Sequence, residues 1–129
     1  MVSKKILICG GSGFIGSNFV RYLHNKYQNY FLVNLDLLTY AGNRLNLSDL
    51  ETSKRYNFIR GDIGDDKLVN KILRRYKFDA VINFAAESHV DRSIIDTSRF
   101  IKTNVMGAYV LLDAVRMCKV PRFIYISTD

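Results

Sequence analysis

Residues 5–16 read K-I-L-I-C-G-G-S-G-F-I-G. The apolar run at residues 6–9 predicts a strand that is buried on both faces. Glycines follow directly, and beyond them apolar residues recur every four positions, as is typical of a helix: Ile15, Phe19, Leu23 and Tyr27. A strand that ends in glycines and opens into a helix favours pyrophosphate binding, because the helix N-terminus offers unpaired N–H groups and the glycines let the backbone approach the ligand.

Asp36 lies about twenty residues beyond this turn, at the end of a second apolar run at residues 30–35. An acidic residue at this distance can accept hydrogen bonds from an adenosine ribose, which favours NAD over NADP. The glycine pattern alone is equally explained by a flexible turn. The strand before it, the helix after it and the acidic residue together predict dinucleotide binding.

The composition predicts a globular domain with a core of its own, since 48% of the 129 residues are hydrophobic. The formal net charge of +7 includes a cluster of cations at residues 71–77. We interpret this cluster as the solvated end of a helix rather than a nucleic-acid patch, because no recognition motif accompanies it. No apolar run approaches a membrane span. Cys9 and Cys118 have neither paired nor metal-like spacing, so we expect free thiols, no metal and a cytoplasmic location.

Strand-like and helical segments alternate along the chain. The strand candidates are residues 5–10, 30–36, 56–61, 79–84 and 122–127, and the helical stripes lie at 14–27, at 68–76 and from about 97 to 119. This alternation predicts an α/β fold, namely a Rossmann-like doubly wound parallel sheet with helices on both faces and the strand order 3-2-1-4-5. Ligands of such sheets bind beyond the C-terminal strand ends, so the loops that begin there form the candidate site.

The loops after the second and third strands carry candidate adenosine contacts. The loop at residues 37–43 begins directly after the acidic residue and contains a Gly-Asn turn signal. After the third strand, Asp62 has two interpretations of equal weight, as a cap of the following helix or as an acceptor for an adenine amino group with Ile63 against the ring. Asp65 and Asp66 are expected to cap that helix and to complement its dipole.

Small residues and then polar residues follow the fourth strand. Ala85 and Ala86 leave room for a cofactor against the sheet. In the polar run that comes next, we expect Ser88 to face a sugar or a phosphate. Local hydrogen bonds that hold the loop account equally well for His89 and Arg92.

The predicted helix at residues 97–119 carries two apolar sets. One is a stripe that we expect to pack on the sheet: Ile101, Val105, Ala108, Leu112 and Val115. The second set points elsewhere: Met106, Tyr109, Val110 and Met117. Gly107 lies in the middle, where it costs about 1 kcal/mol relative to Ala, so we expect a close neighbour there. That neighbour is either a second subunit, which we favour because symmetric dimers are common, or further chain of the same subunit.

Four segments give the chain a resemblance to one family. They are D-L-L-T-Y-A-G-N at 36–43, A-A-E-S-H-V-D-R-S-I at 85–94, T-N-V-M-G-A-Y-V-L-L-D-A at 103–114 and Y-I-S-T-D at 125–129. With the glycine turn, they resemble the dTDP-glucose 4,6-dehydratases, a family of extended short-chain dehydrogenases/reductases. The resemblance implies a lyase of deoxysugar biosynthesis that works on one bound NAD. Hydride leaves C4 of dTDP-glucose, water is eliminated across C5 and C6, and the hydride returns to C6 to give dTDP-4-keto-6-deoxyglucose.

The resemblance and the loop positions together give the expected site residues. The expected NAD contacts are Gly10, Gly13, Phe14, Ile15, Gly16, Asp36, Leu37, Leu38, Thr39, Asp62, Ile63, Phe84, Ala85, Ala86, Ser88 and Thr103. Ser88 and Thr128 are the expected substrate contacts. By the same resemblance, Thr128 matches a residue that hydrogen-bonds the C4 oxygen and orients a tyrosine base. Asp129 matches the acid that protonates the departing C6 oxygen.

The family pattern also includes features that these 129 residues do not hold. They are a glutamate directly after Asp129, a Y-x-x-x-K pair farther on and a C-terminal substrate domain. We therefore expect residues 1–129 to be the NAD-binding Rossmann domain of a larger enzyme that dimerises through the 97–119 helix, and we expect this chain alone to be inactive. The alternatives are a sugar-nucleotide epimerase or decarboxylase, against which Asp129 argues, and a non-catalytic nucleotide-binding module.

Overall fold

Parallel strands form one five-stranded sheet in the residues that the computed structural model describes, which are 2–39, 42–86 and 97–127. The strands are β1 (Lys4–Cys9), β2 (Tyr30–Asp36), β3 (Tyr56–Arg60), β4 (Ala80–Asn83) and β5 (Phe123–Tyr125). Their order in the sheet is β3-β2-β1-β4-β5, so the predicted fold class and strand order are confirmed. The helices are α1 (Phe14–Lys26), α2 (Asp66–Tyr76) and α3 (Ala108–Met117). A 3-10 helix covers Arg44–Leu50, and a helical turn at Thr97–Phe100 leads into a π-helix at Ile101–Gly107.

The central strand β1 ends level with both of its neighbours. Cys9 pairs with Leu35 of β2 and with Asn83 of β4. The chain leaves β1 toward β2 on one side and later places β4 on the other side, so the sheet has its topological switch point between β1 and β4. A crevice is expected beyond the strand ends at this point, because the two crossover connections diverge there.

Apolar side chains cover both faces of the sheet. Leu7, Val33 and Val81 pack on one face with residues of α2 and α3. Ile8 and Leu32 pack on the other face with residues of α1 and the 3-10 helix. All five of these strand side chains are fully buried, and burial of each is worth about 1.5–3 kcal/mol. Cover on both faces explains why the strands are continuous apolar runs rather than alternating ones.

The ends of α2 follow the predicted pattern. The Asp65 carboxylate caps the helix by accepting the Leu68 N–H at 3.1 Å, and Asp66 lies in the first turn. The cations of residues 71–77 occupy the exposed C-terminal half, and Lys77 ends the helix with a φ of 55°. The expected cap at Asp65 and the solvated helix end are therefore confirmed, whereas Asp66 follows the cap and can only complement the helix dipole.

The prediction of which apolar side chains pack the helix at residues 97–119 on the sheet is wrong for most of the stripe. Three of its members are more than half exposed: Ile101, Val105 and Leu112. The buried face of α3 consists of Leu111, Ala114 and Val115, of which the expected stripe contained Val115. The difference arises within α3, where Leu111 rather than the adjacent Leu112 faces the core, and hydrophobicity alone does not distinguish these two leucines.

The neighbour of Gly107 belongs to the same domain. Gly107 is buried, and a Cβ placed on it would lie 2.6 Å from the Cδ1 atom of Ile63. Both expected explanations, a second subunit and further chain, are therefore wrong for this glycine.

Two further expectations concern cysteines and membranes. Cys9 and Cys118 are free thiols, and the first of them is buried. Among the described residues, no helix combines the length and the apolar character that a membrane crossing needs.

Candidate functional site

The glycine turn packs directly against the end of β4. Gly10 has a φ of +76°, and a Cβ on it would lie 2.6 Å from the backbone nitrogen of Ala85. Gly16 in the first turn of α1 lies against the carbonyl oxygen of Gly10, again with no room for a side chain. These two contacts let α1 begin at the crevice between β1 and β4. No side chain caps α1 at Gly13, so the first N–H groups of the helix are offered to a ligand.

The Asp36 carboxylate is fixed at the end of β2 by the backbone around it. Its Oδ2 accepts the Ser12 N–H at 2.9 Å and its Oδ1 accepts the Leu38 N–H at 2.8 Å. Ser12 belongs to the glycine turn, and Leu38 adopts a φ of 60°, which is uncommon for a residue other than glycine. A carboxylate has roughly four acceptor positions, so capacity remains for the hydroxyl groups of a ligand.

A buried polar network supports the glycine turn from below, and it was not predicted. Asn34 of β2 is fully buried, and its Nδ2 donates to Ser12 Oγ at 3.0 Å and to Tyr56 OH at 3.1 Å. Its Oδ1 has no hydrogen-bond partner in the described part of the chain and lies against Gly11. The network joins the turn to β2 and β3, and it thereby holds the Ser12 N–H that binds Asp36. A polar residue inside the apolar run 30–35 was the available signal.

Asp62 and Ile63 follow β3 at the same edge of the sheet. The Asp62 Oδ1 accepts the Gly64 N–H at 2.8 Å, whereas the cap of α2 is Asp65. The interpretation of Asp62 as a helix cap is therefore wrong. Its contact with an adenine stays a prediction.

The loops at this edge line a crevice that is open to solvent on one side. The lining residues are Gly10, Gly13, Leu35, Asp36, Leu37, Thr39, Gly42, Gly61, Asp62, Ile63, Phe84, Ala85, Ala86 and Thr103. The cavity lies at the C-terminal strand ends, where the topology predicts a ligand site. Thr103 reaches it from the π-helix, so elements that are far apart in sequence meet here.

Most of the predicted cofactor residues line this cavity. The described ones that do not are Phe14, Ile15, Gly16 and Leu38. Phe14 and Ile15 are 82% and 65% exposed on the first turn of α1. Ser88, Thr128 and Asp129 lie outside the described residues, and their roles stay predictions.

Three lining residues were not named as site residues, although the loop that contains one of them, Gly42, was expected beside the adenosine: Leu35, Gly42 and Gly61. Leu35 is indistinguishable in sequence from a core residue of β2. Both glycines have close contacts that no sequence pattern reveals, since a Cβ on Gly42 would lie 2.8 Å from Asp36 Oδ1 and one on Gly61 would collide with Leu68. The thiol of Cys9 lies near Asp36 at the end of β1, and burial, followed by the charge of Asp36, raises its pKa. This thiol therefore stays protonated and is a packing group rather than a nucleophile.

The arrangement is suited to a dinucleotide. The start of α1 combines N–H donors with the positive end of a helix dipole, which favours a pyrophosphate. Asp36 provides an acceptor for ribose hydroxyls at the side of the turn. Ile63 and Ala85 add apolar walls against which a planar ring can lie.

Comparisons with known proteins give one consistent family. The family model described as GDP-mannose 4,6 dehydratase matches residues 7–129. The dTDP-glucose 4,6-dehydratase of Xanthomonas campestris is 49% identical over 132 residues, which cover 95% of this chain and 37% of that enzyme. A double mutant of the Streptomyces venezuelae dTDP-glucose 4,6-dehydratase, crystallised with NAD bound, matches with a TM-score of 0.88 and 45% identity over 95% of this chain and 39% of that one.

A second enzyme class shares the fold. The UDP-glucose 4-epimerase of Brucella ovis, in complex with NAD, matches with a TM-score of 0.81 and 32% identity over 95% of this chain and 35% of that one. The chain thus spans little more than a third of the length of these relatives.

Proposed function

The chain belongs to the GDP-mannose 4,6 dehydratase family, and we propose that it forms the NAD-binding part of a dTDP-glucose 4,6-dehydratase. The observation that carries the proposal is the cavity at the switch point, where the glycine turn and the Asp36 carboxylate lie together. Among the solved relatives, the dehydratase at 45% identity is nearer than the epimerase at 32%, which favours the dehydratase reaction.

The residues present fit NAD. Gly10 and Gly16 let the turn pack closely against the end of β4 and against the start of α1, and the uncapped start of α1 can bind the pyrophosphate there. Asp36 can accept both hydroxyls of the adenosine ribose, whereas the 2′-phosphate of NADP would bring negative charge against this carboxylate. We assign the adenine to the side of the cavity lined by Asp62 and Ile63.

Titration of the chain with NAD and with NADP tests the cofactor assignment. We expect tighter binding of NAD, and we expect Asp36→Ala to weaken it roughly 10-fold to 100-fold, since a hydrogen bond to a charged group is worth about 1.5–3 kcal/mol. The matched control is Asp113→Ala, because Asp113 is an acidic residue of α3 that pairs with Arg116 and does not line the cavity. Equal affinities for the two cofactors in the wild type, or an unchanged NAD affinity in Asp36→Ala, would contradict the role of Asp36.

The proposed reaction of the whole enzyme follows from the chemistry of the sugar. Bound NAD supplies the hydride acceptor at C4 and later the hydride donor at C6. A ketone at C4 acidifies the C5 proton, and this makes the loss of water from C5 and C6 feasible. We propose that Thr128 hydrogen-bonds the C4 oxygen and that Asp129 protonates the departing C6 oxygen. Ser88 is the proposed contact near both cofactor and substrate.

The reaction is tested on the full-length protein that contains this chain. With dTDP-glucose as substrate, mass spectrometry should find a product that has lost one water, and Asp129→Asn should slow that loss. The competing function is epimerisation, which is favoured by the likeness to the UDP-glucose 4-epimerase. A product of unchanged mass with inverted C4 would support the epimerase and exclude the dehydratase.

We propose further that the protein forms a homodimer through the exposed face of the helical segment at residues 101–117. Six large apolar side chains on this segment are more than half exposed: Ile101, Val105, Met106, Tyr109, Leu112 and Met117. Monomeric proteins rarely expose so many neighbouring apolar groups, and a symmetric dimer covers such a face by pairing it with its own copy.

Sedimentation analysis over a range of concentrations tests the dimer. We expect Val105→Glu with Leu112→Glu to shift the protein to monomer, because association would bury unpaired charges. Lys102→Ala serves as the control, since Lys102 is an exposed residue of the same segment and carries a charge already. A wild type that stays monomeric at all concentrations would exclude this interface.

A further inference from the structure

The contact between Gly107 and Ile63 joins the π-helix to the cavity wall. A Cβ on Gly107 would lie 2.6 Å from Ile63 Cδ1 and 2.7 Å from Ile63 Cγ1. Ordinary van der Waals contact begins at 3.4 Å, so a methyl group at position 107 requires the tip of Ile63 to retreat by about 0.8 Å. The two residues come from different crossover connections, and their contact is therefore set by the fold rather than by local sequence.

Ile63 has little freedom to retreat except toward the cavity. Its side chain is 4% exposed and belongs to the core cluster that also contains Val69 and Leu111. Ile63 is also one of the residues that line the cavity. Empty space therefore lies on one side of this side chain and close-packed core on the other.

We propose that Gly107 is a positioning residue for the cofactor: the missing side chain at 107 lets Ile63 lie back and keeps the adenine side of the cavity open. The proposal rests on the proposed function, because it takes NAD as the ligand. The helix itself is the less yielding partner, since α3 continues directly from Gly107 and is anchored to the sheet by Leu111, Ala114 and Val115. The end of an isoleucine side chain moves more easily than an anchored backbone, so the wall moves into the cavity when residue 107 gains a methyl group.

The test is a double-mutant cycle on Gly107→Ala and Ile63→Ala with three probes, namely NAD, adenosine monophosphate and nicotinamide mononucleotide. We expect Gly107→Ala to weaken NAD and adenosine monophosphate roughly tenfold, because one methylene in an apolar pocket changes affinity by about that factor or more. Nicotinamide mononucleotide should be unaffected. In the Ile63→Ala background, Gly107→Ala should have no further effect, because the clashing atoms are gone. Lys102→Ala, on the exposed side of the π-helix, is the control and should bind all three probes like the wild type.

A purely structural role for Gly107 gives a different result. It would weaken all three probes together, and it would do so in both backgrounds. That outcome, or an NAD affinity within twofold of the wild type in Gly107→Ala, overturns the proposal. If Gly107→Ala fails to fold while the double variant folds, the clash is supported; if both fail to fold, the proposal is overturned.

The δ1-methyl NMR resonance of Ile63 gives a readout that needs no ligand. We expect Gly107→Ala to shift this resonance, and an unchanged resonance overturns the proposal even if the chain does not bind NAD. Failure of the wild type to bind NAD would instead contradict the proposed function. The NMR result and the NAD titration therefore distinguish a failure of this proposal from a failure of the proposed function.

Discussion

Replacing Gly10 by Ala tests whether the glycine turn needs a residue without a side chain at this position. The new side chain would have to adopt a φ of +76°, which costs about 1–2 kcal/mol for a residue with a Cβ. It would also lie 2.6 Å from the nitrogen and 2.8 Å from the Cα of Ala85, and these are backbone atoms that cannot rotate away. Overpacking of this kind costs about 1–3 kcal/mol. We therefore expect Gly10→Ala to lower the free energy of unfolding by roughly 2–5 kcal/mol, a large part of the stability of a typical domain.

Urea unfolding followed by far-UV circular dichroism measures this loss, and the chain has no Trp to serve as a fluorescence probe. Gly64→Ala is the matched control, because a Cβ there has the Asp62 Oδ1 at 3.3 Å as its nearest contact and Gly64 has no positive φ. The control should lose less than about 1 kcal/mol. A loss in Gly10→Ala that is no larger than in the control would refute the argument that the turn is pressed against the end of β4.

Three further predictions concern side chains around the sheet. Asp65→Ala should cost about 1 kcal/mol in urea unfolding, because it removes the cap of α2, and Asp66→Ala, without a cap bond, should cost less than half of that. The pKa of His24 lies below its usual range because of partial burial and the nearby Arg55 guanidinium. The unfolded chain therefore binds the proton more readily, stability falls as the pH drops below about 6.5, and His24→Gln should flatten that decline in urea midpoints measured down to about pH 5. Asn34→Leu should cost about 1–3 kcal/mol by stranding its buried serine and tyrosine partners, and a loss below about 0.5 kcal/mol would show that the network is dispensable.

The parts of the fold that could be predicted are those set by short-range constraints. A strand, a glycine turn and a helix follow one another within residues 4–26, and each requires its own residue types locally. The alternation of strands and helices then leaves few topologies, because crossover connections are right-handed. The carboxyl ends of parallel strands lie at the same edge of the sheet. Asp36, Asp62 and Ala85 each follow such a strand end, so they could be placed at one cavity before any contact was known.

Residues that acquire their role from distant neighbours could not be predicted. Leu35 lines the cavity and yet has the sequence context of a core strand residue. Gly42 and Gly61 lie against the ends of the Asp36 and Leu68 side chains, and the sequence does not reveal these contacts. A sequence pattern identifies the residue type at such a position but not the atom that it must avoid.

The helical segment at residues 97–117 could be predicted only in part, because its existence follows from local sequence but its buried face does not. Its apolar residues fit more than one helical stripe, and packing against the sheet decides that Leu111, Ala114 and Val115 are the buried ones. Gly107 was correctly interpreted as a place of close approach, because a glycine inside a helix is destabilising without such a reason. The identity of the approaching group depended on which crossover connection lies beside the helix, and the sheet order decides this in favour of Ile63. A glycine within a helix therefore predicts that a neighbour exists, and only the three-dimensional fold reveals that this neighbour is the wall of the cofactor site.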